Sequence, residues 1–320
     1  MYQIKQYPED FVVKEISDIK PKDSGKYAIV ILKKTNYNTL RAIGHIAQSL
    51  CIQPKDVGFA GTKDKIAVTE QYISIKNAKK EDIGKIRLKD IELSFRGYSD
   101  TPISLGELKE NEFIITIRGL TAKEILALQK KIKKKVLMPN YFGEQRFSDY
   151  NVEIGKNLVK CNFEQALKLI LESNPDNKEK IQCFVKDKPR DHVGALKLLP
   201  KKLLTLYVHA YQGYIWNETL KEYVKKSKKN IKIPVVGFGT EITDKEVGNI
   251  VERIMKKENI TNRTFINRPI PELSFEGSSR AAFVEARDLE ILETGKDFVK
   301  LKFRLDKGSY ATVAIEFLLG

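Results

Sequence analysis

The chain has 320 residues, with 57 Lys and Arg against 42 Asp and Glu, a net charge of +15. Its 42% hydrophobic and 31% charged residues suit a globular core, and no apolar run approaches the roughly 18 residues that span a bilayer. The stretch MYQIKQYPEDF is not a secretory signal, so a cytoplasmic location is expected, and the excess of cations favours a polyanionic partner.

In chain order, FVVKEI (Phe11 to Ile16) and YAIVILKK (Tyr27 to Lys34) read as strands, separated by the turn cluster KPKDSG. NTLRAIGHIAQSL changes to helical spacing, with Asn38 as cap and Leu40, Ile43, Ala47 and Leu50 on one face. DVGFAG and AVTEQYISI are strand-like, and EFIITIRGL is a further strand. TAKEILALQKKIKKKV follows as an amphipathic helix opened by the capping box Thr121-x-x-Glu124, with Lys130 to Lys135 as its solvated face. From about Asn151 to Asn230 the patterns are mostly helical, followed by strand-like IKIPVVGFG and helical KEVGNIVERIMKKEN. FVKLKFRL and SYATVAIEFLL are expected to form a terminal hairpin around DKG. Val299, Leu301 and Phe303 alternate in one arm, and Ala311, Val313, Ile315 and Phe317 in the other. Strands at both ends of a helical middle suggest a sheet domain interrupted by an insertion.

Many chemistries lack their signatures. Cys51, Cys161 and Cys183 are widely spaced, as are His45, His192 and His209, so neither a disulfide framework nor a metal site is expected. A phosphate loop, a complete dinucleotide fingerprint and a nucleophile elbow are all missing from the sequence. What remains is cofactor-free chemistry on a polyanion. In GFAGTKDKIAVTEQ, Gly58 and Gly61 permit close approach of a ligand, while Lys63 and Lys65 flank Asp64 and favour its ionised form. Asp64 is therefore a candidate nucleophile, although the same residues also make a solvated surface turn. PNYFGEQRF puts Asn140, Tyr141, Phe142, Gly143, Gln145 and Arg146 together, an amide beside rings that can stack on an unstacked base or simply close a turn. PEDFVVKE (Phe11, Lys14, Glu15) and DKGSYATVAI (Tyr310) read alone as strand edges. HAYQGYIWN reads as helical core packing.

Taken in order, PEDFVVKE, GFAGTKDKIAVTEQ, PNYFGEQRF, AYQGYIWN and KGSYATVAIEFLL resemble the TruD family of tRNA pseudouridine synthases across nearly the whole chain. The resemblance implies a cofactor-independent isomerase that turns uridine into pseudouridine in tRNA, typically at U13. Its G-x-K-D motif falls on Gly61-Thr62-Lys63-Asp64 and implies Asp64 as the nucleophile acting on a flipped-out base. Substrate-binding roles are implied for Phe11, Asn140 and Tyr310, and an active-site aromatic at Phe142. Lys5 matches a lysine that pairs with the aspartate, with Lys63 the competing cation, and Arg146 and the 130–135 lysines are candidates for phosphate contact. The implied fold is α+β. A pseudouridine-synthase catalytic domain with a largely antiparallel sheet covers 1–150 and 285–320, and an inserted mixed helical and strand TRUD domain covers 151–284. That insertion is implied to form the other wall of a positively charged cleft. A monomer acting on tRNA is expected. Ser148, Glu110 and Tyr310 depart from residues common in the family, and none of them removes a catalytic group. Two other classes fit parts of the pattern. One is a non-catalytic RNA-binding or chaperone protein on the same fold; the other is a metal-dependent nuclease, which needs a second carboxylate where only Glu70 is near.

Overall fold

Alternation along the first strands sets up the face that carries the site. A computed structural model describes residues 2–148, 150–173, 175 and 177–320. β1 (Phe11–Ile16) buries Phe11, Val13 and Glu15, and β2 (Tyr27–Thr35) buries Ala28, Val30, Leu32 and Lys34, each at period two. α1 (Thr39–Ser49) starts at Asn38, whose Oδ1 accepts from the N–H groups of Leu40 and Arg41. It packs on the sheet through Ala42, Ile43, Ile46 and Ala47. Leu40, expected on the inward face, is 54% exposed because the buried stripe begins at Thr39 instead.

β3 (Val57–Phe59), β4 (Val68–Lys76), α2 (Lys80–Lys85), β5 (Ile91–Ser99) and β6 (Glu110–Arg118) follow. α3 (Ala122–Lys131) keeps the expected capping box, with the Glu124 N–H donating to Thr121 Oγ1 and the Thr121 N–H to Glu124 Oε2. The helix stops at Lys131, and β7 (Lys135–Pro139) begins four residues later. The lysine run is therefore not one helix face: Ile132 turns extended and packs against the core, and Lys135 opens a strand.

The middle of the chain is α4 (Asn151–Val159), α5 (Phe163–Glu172), α6 (Lys178–Asp187), α7 (His192–Leu196), α8 (Lys201–Lys226), β8 (Lys232–Val235), α9 (Lys245–Glu258) and β9 (Ser278–Ala281). These pack around the buried residues Tyr211, Ile215, Trp216 and Leu220 of α8. Among the described residues, no helix is long and apolar enough to cross a membrane. β10 (Phe283–Thr294), β11 (Phe298–Asp306) and α10 (Ala311–Leu319) complete the chain.

The last element corrects the expected hairpin. β11 pairs with β10 and β6, and the segment after DKG is helical. A nine-residue run with seven apolar residues fits either state locally. As a helix it buries Ala311, Ala314, Ile315 and Leu318 together at helical spacing, while Phe317, inward in the strand reading, is 43% exposed.

The large sheet has nine strands in the order β5-β2-β4-β1-β6-β11-β10-β7, with β3 added along β4. β1 and β4 run parallel and the other described pairings are antiparallel, an α+β architecture. α3 and α10 cover β6 and β11 through Ile125, Leu128, Ala314 and Ile315, which meet Phe113, Ile115, Leu301 and Phe303. The chain divides into two compact units, 1–138 with 284–320, and 139–283.

Candidate active site

The turn between β3 and β4 is held by side-chain contacts with five elements. The Gln71 Nε2 of β4 donates to the Gly61 carbonyl at 3.0 Å. Thr39 Oγ1, at the start of α1, accepts from the Lys63 N–H at 3.0 Å and donates to its carbonyl at 3.3 Å. Lys34 Nζ of β2 donates to the Asp64 carbonyl at 2.7 Å. Lys63 Nζ lies 2.9 Å from Glu15 Oε2 of β1 and donates to Asn111 Oδ1 of β6 at 2.9 Å. The main chain of residues 61–64 is thus immobilised against the sheet, so the Asp64 carboxylate is presented from a rigid frame.

That carboxylate is one-third exposed, and Lys5 donates to its Oδ2 at 3.3 Å. The ammonium also lies 4.1 Å from the centroid of the Phe11 ring, a cation–π contact. Phe11 itself is 2% exposed, with its edge toward Phe113. Lys63, the competing cation, turns down into the sheet: its side chain is 7% exposed and Glu15's 1%. The Lys63–Glu15 approach is a charge contact off the hydrogen-bonding direction, and among the described residues both Glu15 carboxylate oxygens lack a hydrogen bond. Lys65 is exposed. Tyr310 precedes α10 on the turn after β11, where the Lys307 N–H donates to the Lys109 carbonyl at 3.1 Å. β11 pairs Leu305 with Asn111, so this turn lies at the same end of the sheet as Lys63's partner.

The segment carrying Lys5 is anchored on both sides by Arg118. Backbone bonds join Gln3 and Arg118 at 2.9 and 2.8 Å, and the Arg118 guanidinium grips Asp10 through Nη2 and Nε at 2.7 and 3.0 Å. Burial alone raises the Asp10 carboxyl, but hydrogen bonds from Arg118 and the Tyr7 N–H bring it below its ordinary value.

A second constellation forms within unit 139–283. Arg280 Nη2 donates to Asn140 Oδ1 at 2.5 Å and its Nε to the Asn140 carbonyl at 2.9 Å, while Asn140 Nδ2 donates to the Ala281 carbonyl at 3.1 Å. Asn140 is therefore 7% exposed, with both ends of its amide engaged by protein. The Phe142 ring has the guanidinium carbons of Arg146 and Arg280 at 4.5 and 4.4 Å and meets Trp216 edge-on at 5.4 Å. Asn217 clamps the Phe142 main chain, accepting from its N–H at 2.9 Å and donating to its carbonyl at 3.0 Å. Arg146 Nε donates to the His209 carbonyl at 3.1 Å and passes over Gly213, where a Cβ would sit 3.0 Å from that nitrogen. AYQGYIWN thus does more than fill the core: Tyr211 and Trp216 are buried, while Gly213 and Asn217 shape the PNYFG loop.

Sequence reasoning missed Lys34, Thr39, Asn111, Arg118, Arg280 and Asn217 as parts of these clusters. Lys34 alone left a readable signal, a cation at an inward position of an alternating strand. Glu70 alternates with Thr69 and Gln71 and so faces away from the turn's supporting side. Among the described residues, no group of three or more His, Cys, Asp or Glu converges as metal ligands do.

The sequence matches the model of a family described as tRNA pseudouridine synthase D (TruD) over residues 2–184, 176–232 and 218–316. A protein named tRNA pseudouridine synthase D from Aquifex aeolicus is 32% identical, covering 99% of this chain and 97% of its own length. A Nanoarchaeum equitans protein named "Probable tRNA pseudouridine synthase D" is 33% identical over 99% of this chain and 98% of its own. The crystal structure of a TruD protein from Methanosarcina mazei superposes with a TM-score of 0.75 at 29% identity, covering 99% of this chain and 93% of that one.

Proposed function

The chain belongs to the TruD family of tRNA pseudouridine synthases, and we propose that it isomerises uridine 13 of tRNA with Asp64 as nucleophile. The observation that carries this reading is the Asp64 carboxylate, solvent-accessible, ion-paired to Lys5, and standing on a turn clamped by Lys34, Thr39, Gln71 and Lys63. A nucleophile needs fixed geometry and a charge that the site tolerates, and the turn and Lys5 supply these.

Pseudouridine formation breaks the C1′–N1 bond, rotates the base and forms a C1′–C5 bond, with C5 losing a proton and N1 taking one up. The change is isomeric, so it needs neither an external oxidant nor a group donor. Asp64 acts on the uridine after it leaves its stack, because the reacting carbons are shielded in folded RNA. Tyr310, on the turn after β11, serves as a ring contact for the flipped nucleotide, and Phe142 keeps the aromatic role that the family resemblance implies. Asn140, with its amide engaged by Arg280 and Ala281, acts mainly by shaping the Phe142 loop. Phe11 supports Lys5 from below. Arg146 and the lysines at 130–135 contact phosphates. The family's inserted domain is assigned to residues 151–284, nearly all of which fall in unit 139–283, and the protein acts as a cytoplasmic monomer.

The test is C5-tritium release from [5-³H]uridine-labelled tRNA. Asp64→Asn and Asp64→Ala are expected to abolish release while retaining tRNA binding. Substantial release by contaminant-free Asp64→Ala overturns the nucleophile assignment. Wild-type release from tRNA with cytidine at position 13 and uridine elsewhere overturns the positional assignment. Affinity should fall about tenfold or more between 50 and 200 mM salt if several phosphates are engaged.

A further inference from the structure

Lys34 is a whole ammonium placed inside the sheet. Residues 28, 30, 32 and 34 of β2 all point inward, and Lys34 is 0% exposed. Lys33, its neighbour on the opposite face, meets Glu92 near the surface. Lys34 has no carboxylate within salt-bridge distance among the described residues, and its one described hydrogen bond runs to the main-chain carbonyl of Asp64 at 2.7 Å. Burying a cation without a counterion is costly, and a fold keeps such a group rarely unless the charge is used.

The surroundings direct that charge at the turn. Across β4, Lys34 is in register with Thr69 and Leu32 with Gln71, and the Thr69 hydroxyl and Gln71 Oε1 have no hydrogen-bond partner among the described residues. Across β5 the register partner is apolar Ile91. α1 contributes Thr39, which is already engaged with Lys63. The charged groups acting on Lys34 are both on the turn, attractive Asp64 and repulsive Lys63, and Lys63 is in turn balanced by Glu15 of β1. Asp64 therefore stands between two cations: Lys5 at its carboxylate and Lys34 at its carbonyl.

We propose that Lys34 is a positioning residue for Asp64, fixing the Asp64 peptide through its carbonyl and supplying positive potential from beneath the turn. This rests on the isomerase reading above. Its role is exerted through Asp64 and involves no bond to substrate. Burial brings the Lys34 ammonium down to about 8, with Asp64 opposing that fall and Lys63 adding to it. The cation is thus lost just above neutral pH, which gives the role a pH signature.

The experiment measures tritium release by the full chain with saturating tRNA between pH 6.5 and 9.5, for wild type, Lys34→Met and Lys34→Arg. Wild-type kcat is expected to fall above a pH of about 8. Lys34→Met should lose about thirtyfold or more in kcat at pH 7, with KM for tRNA within about threefold. Lys34→Arg should recover most of that loss and remove the alkaline limb, since a guanidinium stays charged throughout. A support role that needs only bulk would shift melting temperature without such a limb. A Lys34→Met kcat within about threefold of wild type overturns the inference alone, as does an alkaline limb that persists in Lys34→Arg. If Lys34→Met does not fold, the comparison of limbs between wild type and Lys34→Arg decides. Absence of release from wild type overturns the isomerase reading, and this inference with it.

Discussion

Lys5 reaches Asp64 from a backbone in the left-handed region, with φ of 65° and Nζ 3.3 Å from the carboxylate. A non-glycine residue pays a conformational penalty there, so the surrounding structure must hold it. Gln3 on one side and Asp10 on the other do so, both through Arg118. Lys5→Met keeps most of the packing on Phe11 but removes the charge. It is expected to lower single-turnover isomerisation about tenfold to a hundredfold while tRNA Kd changes less than about threefold. An unchanged rate would show that Asp64 works without this partner.

Arg118 and Asp10 carry the second prediction. Asp10's side chain is 3% exposed and Arg118's 33%, so Arg118→Met leaves a buried carboxylate alone. The expected loss is about 2–3 kcal/mol in urea unfolding, below the full figure for a wholly buried pair because Arg118 is partly solvated. The sign with pH follows from the net lowering of the Asp10 carboxyl in the folded state. Its contribution is present above the ordinary carboxylate value of about 3.9 and is lost as pH falls through the lower folded value. The gap between wild type and Arg118→Met should therefore narrow in acid. A gap that is constant from pH 6 down to pH 2 sinks this account.

The parts of this molecule legible in sequence are those written locally. β1, β2, α1 and the Thr121 capping box follow from period, cap and turn chemistry. α10 reads equally as a strand because its seven apolar residues of nine satisfy both periods, and only the packing of Leu318 rather than Phe317 decides. The Asp64 turn joins residues 59, 30 and 24 positions apart (Lys5 with Asp64, Lys34 with Asp64, Thr39 with Lys63), distances over which spacing carries no information. For the same reason the sequence leaves the choice between Lys5 and Lys63 as Asp64's partner open, and the fold pairs Lys5 with Asp64 and Lys63 with Glu15. Arg280, 140 residues from Asn140, could not have been found from the PNYFG stretch.

Gly213 offers a prediction in which stability and activity part company. It lies inside α8, where alanine is favoured over glycine by about 1 kcal/mol. A Cβ there would press on Arg146 at 3.0 Å from Nε and 3.1 Å from Cδ, and on Phe147 at 3.3 Å. The Arg146 side chain can move away, but in doing so it leaves the Phe142 ring and the His209 carbonyl. Gly213→Ala should keep or raise the urea midpoint and lower kcat/KM for tRNA about tenfold. Equal kcat/KM in both proteins would mean that the Arg146–Phe142 stack plays no part in turnover.

The charge on Lys34 should be visible in stability as well as in rate. Its folded value of about 8 lies below the ordinary 10.5, because burial opposes the charged form. Between these values the unfolded chain binds the proton more tightly, so stability from this group rises with pH from about 8 toward 10.5. The integrated effect is about 3 kcal/mol, which is also the order of what charged Lys34 costs at pH 7. Tyr211 and Cys161 move the other way, since burial raises both and their contributions fade in alkali. The comparison is therefore made as a difference against Lys34→Met, in which those groups cancel. Lys34→Met should be more stable than wild type in urea at pH 7, with the advantage shrinking by pH 9.5. A variant that is less stable at pH 7 would mean that the hydrogen bond to the Asp64 carbonyl outweighs the desolvation of the ammonium.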